Sequence, residues 1–191
     1  MKPRLPLFAT LVVFLAVAVM LRLGFWQLER RQEKAALLAH YTAAQAVNAS
    51  VPFPLDAKRG EKLLYRHSTL TCRNPRDWLA LSGRDGHGQS GMMHEALCEV
   101  AGGAAHVVIG WSRNPATPAW QGGAVSGIIA ARGKHGLRLI ANPPLAGLAA
   151  NALPNPRDIP NNHLSYAVQW FLFAATALVI YGIALRKRML A

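Results

Sequence analysis

Acidic residues are scarce in this chain: nine Asp and Glu stand against twenty-one Lys and Arg among 191 residues, and there are only two cysteines. The resulting formal charge of +12 invites a nucleic-acid reading. Yet no zinc-finger, helix-turn-helix or basic-aromatic module is present to direct that charge at bases, and the cations are scattered or flank apolar runs. Anionic lipid headgroups are the simpler partner, and nucleic acid is not expected.

A catalytic constellation is missing as well. Gly86-His87-Gly88-Gln89-Ser90-Gly91 fits the dinucleotide pattern G-x-G-x-x-G, but it opens no helix and belongs to no βαβ unit. His94-Glu95-Ala96-Leu97-Cys98 approximates the zinc helix H-E-x-x-H with Cys98 in place of the second histidine, and no third ligand follows at a useful spacing. Met92, Met93 and His94 are soft ligands suited to cuprous copper, although two methionines at a strand edge are more simply core filler. Ser112 lacks the glycine that a nucleophile elbow requires. No internal repeat is found, and the chain is not expected to be an enzyme.

What the chain does have is two long apolar runs. Leu5 to Leu21 is free of charge, and with Leu23 to Trp26 included a helix there rises about 33 Å, enough for a hydrocarbon core of about 30 Å. Leu164 to Leu185 forms the second run, polar only at Ser165 and Gln169 near its start and at Thr176 and Tyr181 further on. The mean hydropathy of +0.16 averages these greasy ends with a soluble middle. Ala16-Val17-Ala18 could be a signal-peptide cleavage site, but apolar residues continue past it, which suits an anchor better. Lys2 and Arg4 before the first run, and Arg186, Lys187 and Arg188 after the second, place both termini in the cytoplasm. Arg22, Arg30, Arg31 and Lys34 argue the other way, but two basic ends on one side require an even number of spans.

Four segments follow: an N-terminal transmembrane helix over 1–27, a juxtamembrane helix over 28–50, a β-rich extracytoplasmic domain over 51–162, and a C-terminal transmembrane helix with a basic tail over 163–191. The fold class is therefore an α+β membrane protein, with two transmembrane helices flanking a small β domain. Gln27 to Tyr41 is rich in helix formers without Gly or Pro, and Asn48 to Pro54 ends the helix. Strands are expected at Leu63 to Cys72, Trp78 to Ser82, His94 to Val100, Ala105 to Trp111, Val125 to Ala131 and Gly136 to Ala141. Turns at Gly83 to Gly86 and at Arg132-Gly133-Lys134 separate some of them. Leu145 to Leu153 reads as a short helix. Cys72 and Cys98 fall on different strands, and one disulfide is expected because an oxidising compartment would join a well-placed pair, two buried thiols being the alternative.

The second apolar run opens on Asn161-Asn162-His163-Leu164-Ser165-Tyr166-Ala167-Val168-Gln169-Trp170. On a helix starting near Asn162, with Asn161 or Asn162 as its cap, His163, Ala167, Trp170 and Ala174 share one face. Imidazole, small gap, aromatic plate and small gap would make a wall for a flat, greasy ligand, since imidazole binds iron axially. From the residues alone, an interfacial belt of His163, Tyr166 and Trp170 is the plainer account.

Three strings shift that balance: Leu23 to Arg31, Val107 to Pro115, and Asn161 to Phe171. In order and spacing they resemble the Surfeit locus protein 1 family across nearly the whole chain. The resemblance implies a two-span protein of the bacterial inner membrane that assists assembly of haem-copper cytochrome c oxidase, with haem a as a transient cofactor and oxidase subunit I and the lipid bilayer as partners. It marks His163 as a haem ligand and metal-binding residue, and matches Trp26 and Gln27 to the family's Trp-Gln pair. Trp170, Tyr166 and Trp26 would then pack the macrocycle, and Arg30, Arg31 or Arg157 would meet its propionates. A scaffold that binds oxidase subunits without haem is the other expectation. Where the family often has Asn-Arg-Gly-Trp, this chain has Val108-Ile109-Gly110-Trp111, so no role of that arginine carries over, and the two cysteines lie outside the family pattern.

Overall fold

The computed structural model describes residues 6–133 and 136–190. Lys2, Arg4 and Leu5 at the expected first span, and Lys134 of the expected turn, lie outside the described residues. In chain order the elements are α1 (Leu7–Gln45), β1 (Val51–Pro52), α2 (Ala57–Glu61), β2 (His67–Cys72), β3 (Pro75–Arg84), β4 (Ser90–Val100), β5 (Gly103–Ser112), β6 (Gly123–Arg132), β7 (Gly136–Ala141), a 3-10 turn (Pro156–Asp158) and α3 (His163–Leu190). They form two units, residues 6–38 with 159–190 and residues 39–158.

The first unit is a pair of membrane helices. Their apolar windows are only 11% and 6% buried, so most of their Leu, Val, Ile and Phe side chains face outward, unlike those of a core helix. A helix satisfies its own backbone and can therefore lie in hydrocarbon. The expected span over 1–27 and juxtamembrane helix over 28–50 are one continuous 39-residue helix, because nothing between Trp26 and Gln45 breaks the ladder. At about 58 Å it outlasts any hydrocarbon core. Its last turns belong to the second unit, where the Tyr41 ring stacks 4.8 Å from that of Tyr65.

The second unit is a seven-stranded mixed sheet in the order β1-β2-β6-β7-β5-β4-β3. β1 runs parallel to β2 and β5 parallel to β7, while the other neighbours are antiparallel. Only two residues separate β2 from β3, though the sheet order places them far apart, so the sheet must roll. Backbone bonds from Arg73 N to Glu99 O (2.9 Å) and from Glu99 N to Asn74 O (3.4 Å) fasten the closure. Cys72 and Cys98 form a disulfide across it, with Cα atoms 5.1 Å apart. Inside the roll, Val107, Ile109, Val125, Leu139 and Ala141 pack on the disulfide, flanked by Phe53, Trp78 and Trp120.

Six expected strands are present, five of them with shifted ends. Leu63 to Tyr65 is not strand: the chain turns there, with Tyr65 at φ 68°. Two elements escaped the periodicity. β1 is two residues long and ends on Pro52, tolerable because it lies at the sheet edge. α2 contains Gly60 and starts at Asp56, whose side chain accepts the Arg59 N–H at 2.8 Å. The expected helix from Leu145 to Leu153 is absent. That segment instead lies along the end of β5 and the turn after β3, with Trp111 bridged to Ala149 and Asp85 to Asn151. Gly110 permits the approach, since a Cβ there would stand 2.4 Å from that of Leu148.

The Cys72–Cys98 bond closes a loop of sequence separation 26, which constrains the unfolded chain by about 3 kcal/mol. Replacing both cysteines with serine should lower the urea unfolding free energy of the sheet unit by about that amount. Alkylation of both thiols in unreduced wild-type protein would contradict the bond directly.

Candidate functional site

The functional residues expected from the sequence gather on the helix pair. On α1, buried or half-buried positions recur at Thr10, Val13, Val17, Met20, Gly24 and Gln27; on α3 they recur at His163, Ala167, Trp170, Ala174, Ala177 and Tyr181. Alternating steps of three and four residues trace one stripe on each helix. The stripes meet antiparallel: Tyr181 hydrogen-bonds Thr10 at one end, and His163 meets Gln27 at the other. Between these ends Phe171 lies against Gly24, where an added Cβ would come within 2.5 Å of its ring, and edge-on to Phe25 at 5.4 Å. Small residues let two helices approach closely in lipid.

This geometry corrects the expected wall. His163, Ala167, Trp170 and Ala174 do share a face, but Ala167 and Ala174 are 0% and 2% exposed. Their gaps are filled by the helix seam and leave no room for a macrocycle. A flat ligand would have to use the flank of the seam, where Trp26 and Tyr166 are exposed.

His163 occupies the first turn of α3, half-buried, with Nδ1 2.7 Å from Gln27 Oε1. A carbonyl oxygen only accepts, so Nδ1 is the donor in this pair, and in the neutral imidazole that tautomer leaves the lone pair on Nε2. Nε2 has no protein partner among the described residues. Neither asparagine side chain caps α3: Asn161 donates through Nδ2 to Arg31 O at 3.4 Å, and Asn162 accepts the Tyr166 N–H through its main-chain carbonyl. The Arg30 guanidinium lies 5.6 Å over the Trp26 ring and 2.6 Å from Glu33. Arg31 makes no ion pair among the described residues. Arg157 is part of the sheet unit, its main-chain N–H bonded to Asn155 Oδ1 at 3.0 Å. Trp170 stacks edge-on with Phe173 at 6.1 Å.

From the sequence, Gln27 is expected only to open a helix-forming run and to match half of a Trp-Gln pair, with no role of its own. Its signal was the 10-13-17-20-24-27 stripe on α1, legible once the helix is seen to have a partner.

The sheet unit holds a second polar cluster that sequence reasoning missed. Glu95 is fully buried, with Arg132 Nε 2.7 Å and His106 Nδ1 3.2 Å from its Oε1, and Arg138 3.5 Å from its Oε2. A buried carboxylate requires such partners. Arg132 and Arg138 lie on β6 and β7, too far along the chain for any spacing rule to link them to Glu95. The neighbouring His94 turns its Nε2 to Ser112 Oγ at 2.9 Å, and that hydroxyl donates to Asn114 O at 2.6 Å. Ser112 therefore gives its proton to the main chain and not to the imidazole, the reverse of an activated nucleophile. Cys98 is spent in the disulfide and cannot complete a zinc set with His94.

Burial holds His94 below the usual histidine range, opposed in part by a hydrogen bond with the Asn114 main chain. Burial also lowers His106, helped by the Arg132 guanidinium and opposed by Glu95. Both side chains resist protonation when folded, so the unfolded chain takes up more protons once the pH falls below about 6.5. Stability of the sheet unit is therefore full above that pH and declines beneath it. Urea midpoints measured from pH 8 to pH 5.5 should fall on the acid side, and His94→Gln with His106→Gln should flatten the profile.

Comparison with known proteins places the helix pair and the sheet together in one pattern. The model of the SURF1 family matches residues 14–175, from within α1 through the sheet unit and into α3. Individually curated proteins give no match.

Proposed function

Since this chain belongs to the SURF1 family, whose members are associated with assembly of cytochrome c oxidase, we propose that it holds haem a beside the membrane during delivery to oxidase subunit I. The observation that carries this reading is the unshared Nε2 of His163, at the membrane end of an aromatic helix pair, with Nδ1 already bonded to Gln27. An imidazole ligating iron almost always donates its other N–H to a second group. The residues present therefore fit an axial ligand.

His163 would supply that ligand through Nε2. Trp26 and Tyr166, with the half-buried Trp170, offer apolar surface for a macrocycle. Arg31, whose guanidinium has no ion-pair partner among the described residues, is a better match for a propionate than Arg30, which is engaged by Glu33 and Trp26. Bound haem would contribute only reversible axial coordination, and no bond of the cargo is made or broken. The protein's own residues orient one imidazole, shield one side of the cofactor from water and fix its depth in the membrane. A scaffold that contacts oxidase subunits without haem is the competing reading.

Purified from cells that make haem a, wild-type protein should carry the cofactor, visible in its absorption spectrum. His163→Ala should retain less by about tenfold or more, with unchanged membrane level and an intact disulfide. Trp170→Ala should lose less and keep the ligation spectrum. Equal haem and identical spectra in wild type and His163→Ala would remove His163 as the ligand; haem in neither would favour the scaffold.

We place the sheet unit outside the cytoplasm of a bacterial cell, with both termini inside. The flanking charges and the disulfide support this, because a disulfide persists in an oxidising compartment. Reporter fusions within Gly83 to Gly91 and after Leu190 should report opposite sides. A cytoplasmic signal from the first fusion would overturn the orientation.

A further inference from the structure

Gln27 and His163 are 136 residues apart, yet their side chains meet across the two helices at 2.7 Å. Gln27 is the last position of the α1 stripe and His163 the first of the α3 stripe, so the contact exists only when the antiparallel stripes are in register. Three features set that register: the Thr10 and Tyr181 hydroxyls at the far end, Phe171 seated on Gly24 one turn away, and Asn161 tied to Arg31 O.

We propose that Gln27 is a positioning residue: its amide oxygen holds the imidazole of His163 in the Nδ1–H tautomer and aims Nε2 at iron, making axial ligation conditional on pairing of the two helices. The inference rests on the reading of His163 as a haem ligand and adds a residue and a control to it. Three chemical consequences follow.

A histidine without an acceptor at Nδ1 distributes its proton over both nitrogens, and every molecule protonated at Nε2 is unable to ligate through that nitrogen. An acceptor at Nδ1 removes that loss and also raises the donor strength of Nε2, since the ring gains electron density as its N–H is polarised. Because acceptor and ligand stand on different helices, slippage along the seam abolishes the bond without altering either residue. Haem retention thus reports whether α1 and α3 are correctly paired.

The test uses full-length protein in lipid nanodiscs, with ¹⁵N-labelled histidine and three substitutions: Gln27→Leu, which fills the space without an acceptor; Gln27→Asn, whose amide is one methylene short; and Gln27→Glu, a stronger acceptor. Before haem is added, nitrogen NMR above pH 8 should show His163 with Nδ1 protonated in wild type and Gln27→Glu, and a mixture weighted to Nε2–H in Gln27→Leu and Gln27→Asn. Haem a recovered from cells should fall about tenfold or more in the Leu and Asn variants and be kept by the Glu variant. The reduction potential of whatever haem remains should move in opposite directions, upward for Leu and downward for Glu. A merely structural bond would lower protein level in all three variants and leave potential and tautomer unmoved.

Wild-type protein with Nε2 protonated overturns the positioning role whatever the haem content. If wild type carries haem and Gln27→Leu matches it in tautomer, haem content and potential, Gln27 is dispensable and His163 ligates without it. If wild type carries no haem, the haem-holding function fails and the role of Gln27 toward iron fails with it, even where the NMR tautomer is as stated.

Discussion

Everything in the helical unit depends on close packing along a single antiparallel seam. Lipid tails are as apolar as leucine, so two membrane helices gain nothing by hiding leucines from one another and must associate through contact and hydrogen bonds. Gly24, Ala167 and Ala174 supply the contact by letting the helices approach. The Thr10–Tyr181 and Gln27–His163 pairs supply the hydrogen bonds, one at each end. The exposed Leu, Val, Ile and Phe side chains then face lipid. The contact at His163 is a product of this packing, because the group that meets its Nδ1 stands on the other helix.

The sheet unit solves a different problem. A rolled sheet of about a hundred residues has a narrow interior, and the residues that fill it are small or medium-sized: Val107, Ile109, Val125, Leu139 and Ala141, closed by the Cys72–Cys98 bridge. On the opposite face of β4 and β5, the ion pairs of Glu95 with Arg132 and Arg138 replace apolar packing. Removal of one partner from such a group leaves the rest buried and uncompensated. That face therefore tolerates substitution poorly. The family string at β5 reads differently here, with Val108 and Ile109 where Asn and Arg are common. Both are fully buried, one on each face of the sheet. In this chain those positions serve the core.

The functional reading joins these two parts through chemistry more than through shape. The family match spans both units, and His163 has one ring nitrogen against the Gln27 amide and the other without a partner among the described residues. On the function proposed above, a carrier that must release its cargo would be served by a single protein ligand of this kind. Its hold can be strong enough to retain the cofactor and weak enough to surrender it.

Much of the architecture was legible in the sequence because its signals are local. Two charge-free runs announce two spans, the absence of Gly and Pro after Trp26 announces a continuous helix, and alternation with turn residues locates six of the seven strands. His163 was legible by type and position, as an ionisable residue at a membrane boundary. The unread parts were decided by residues distant in the chain. β1 is too short for periodicity, and it is strand only because β2 lies beside it. Leu145 to Leu153 has the composition of a helix, but its main chain is taken by β5. Ala167 and Ala174 looked like gaps for a ligand until α1 filled them. The partners of Glu95 and the bond from Gln27 to His163 have no expression in spacing at all. Sequence determines which groups a chain can bury or expose, through local propensity and hydrophobicity. Which buried group meets which is decided only when the chain folds back on itself, since a hydrogen bond or an ion pair is a matter of a few ångströms between residues that the sequence keeps far apart.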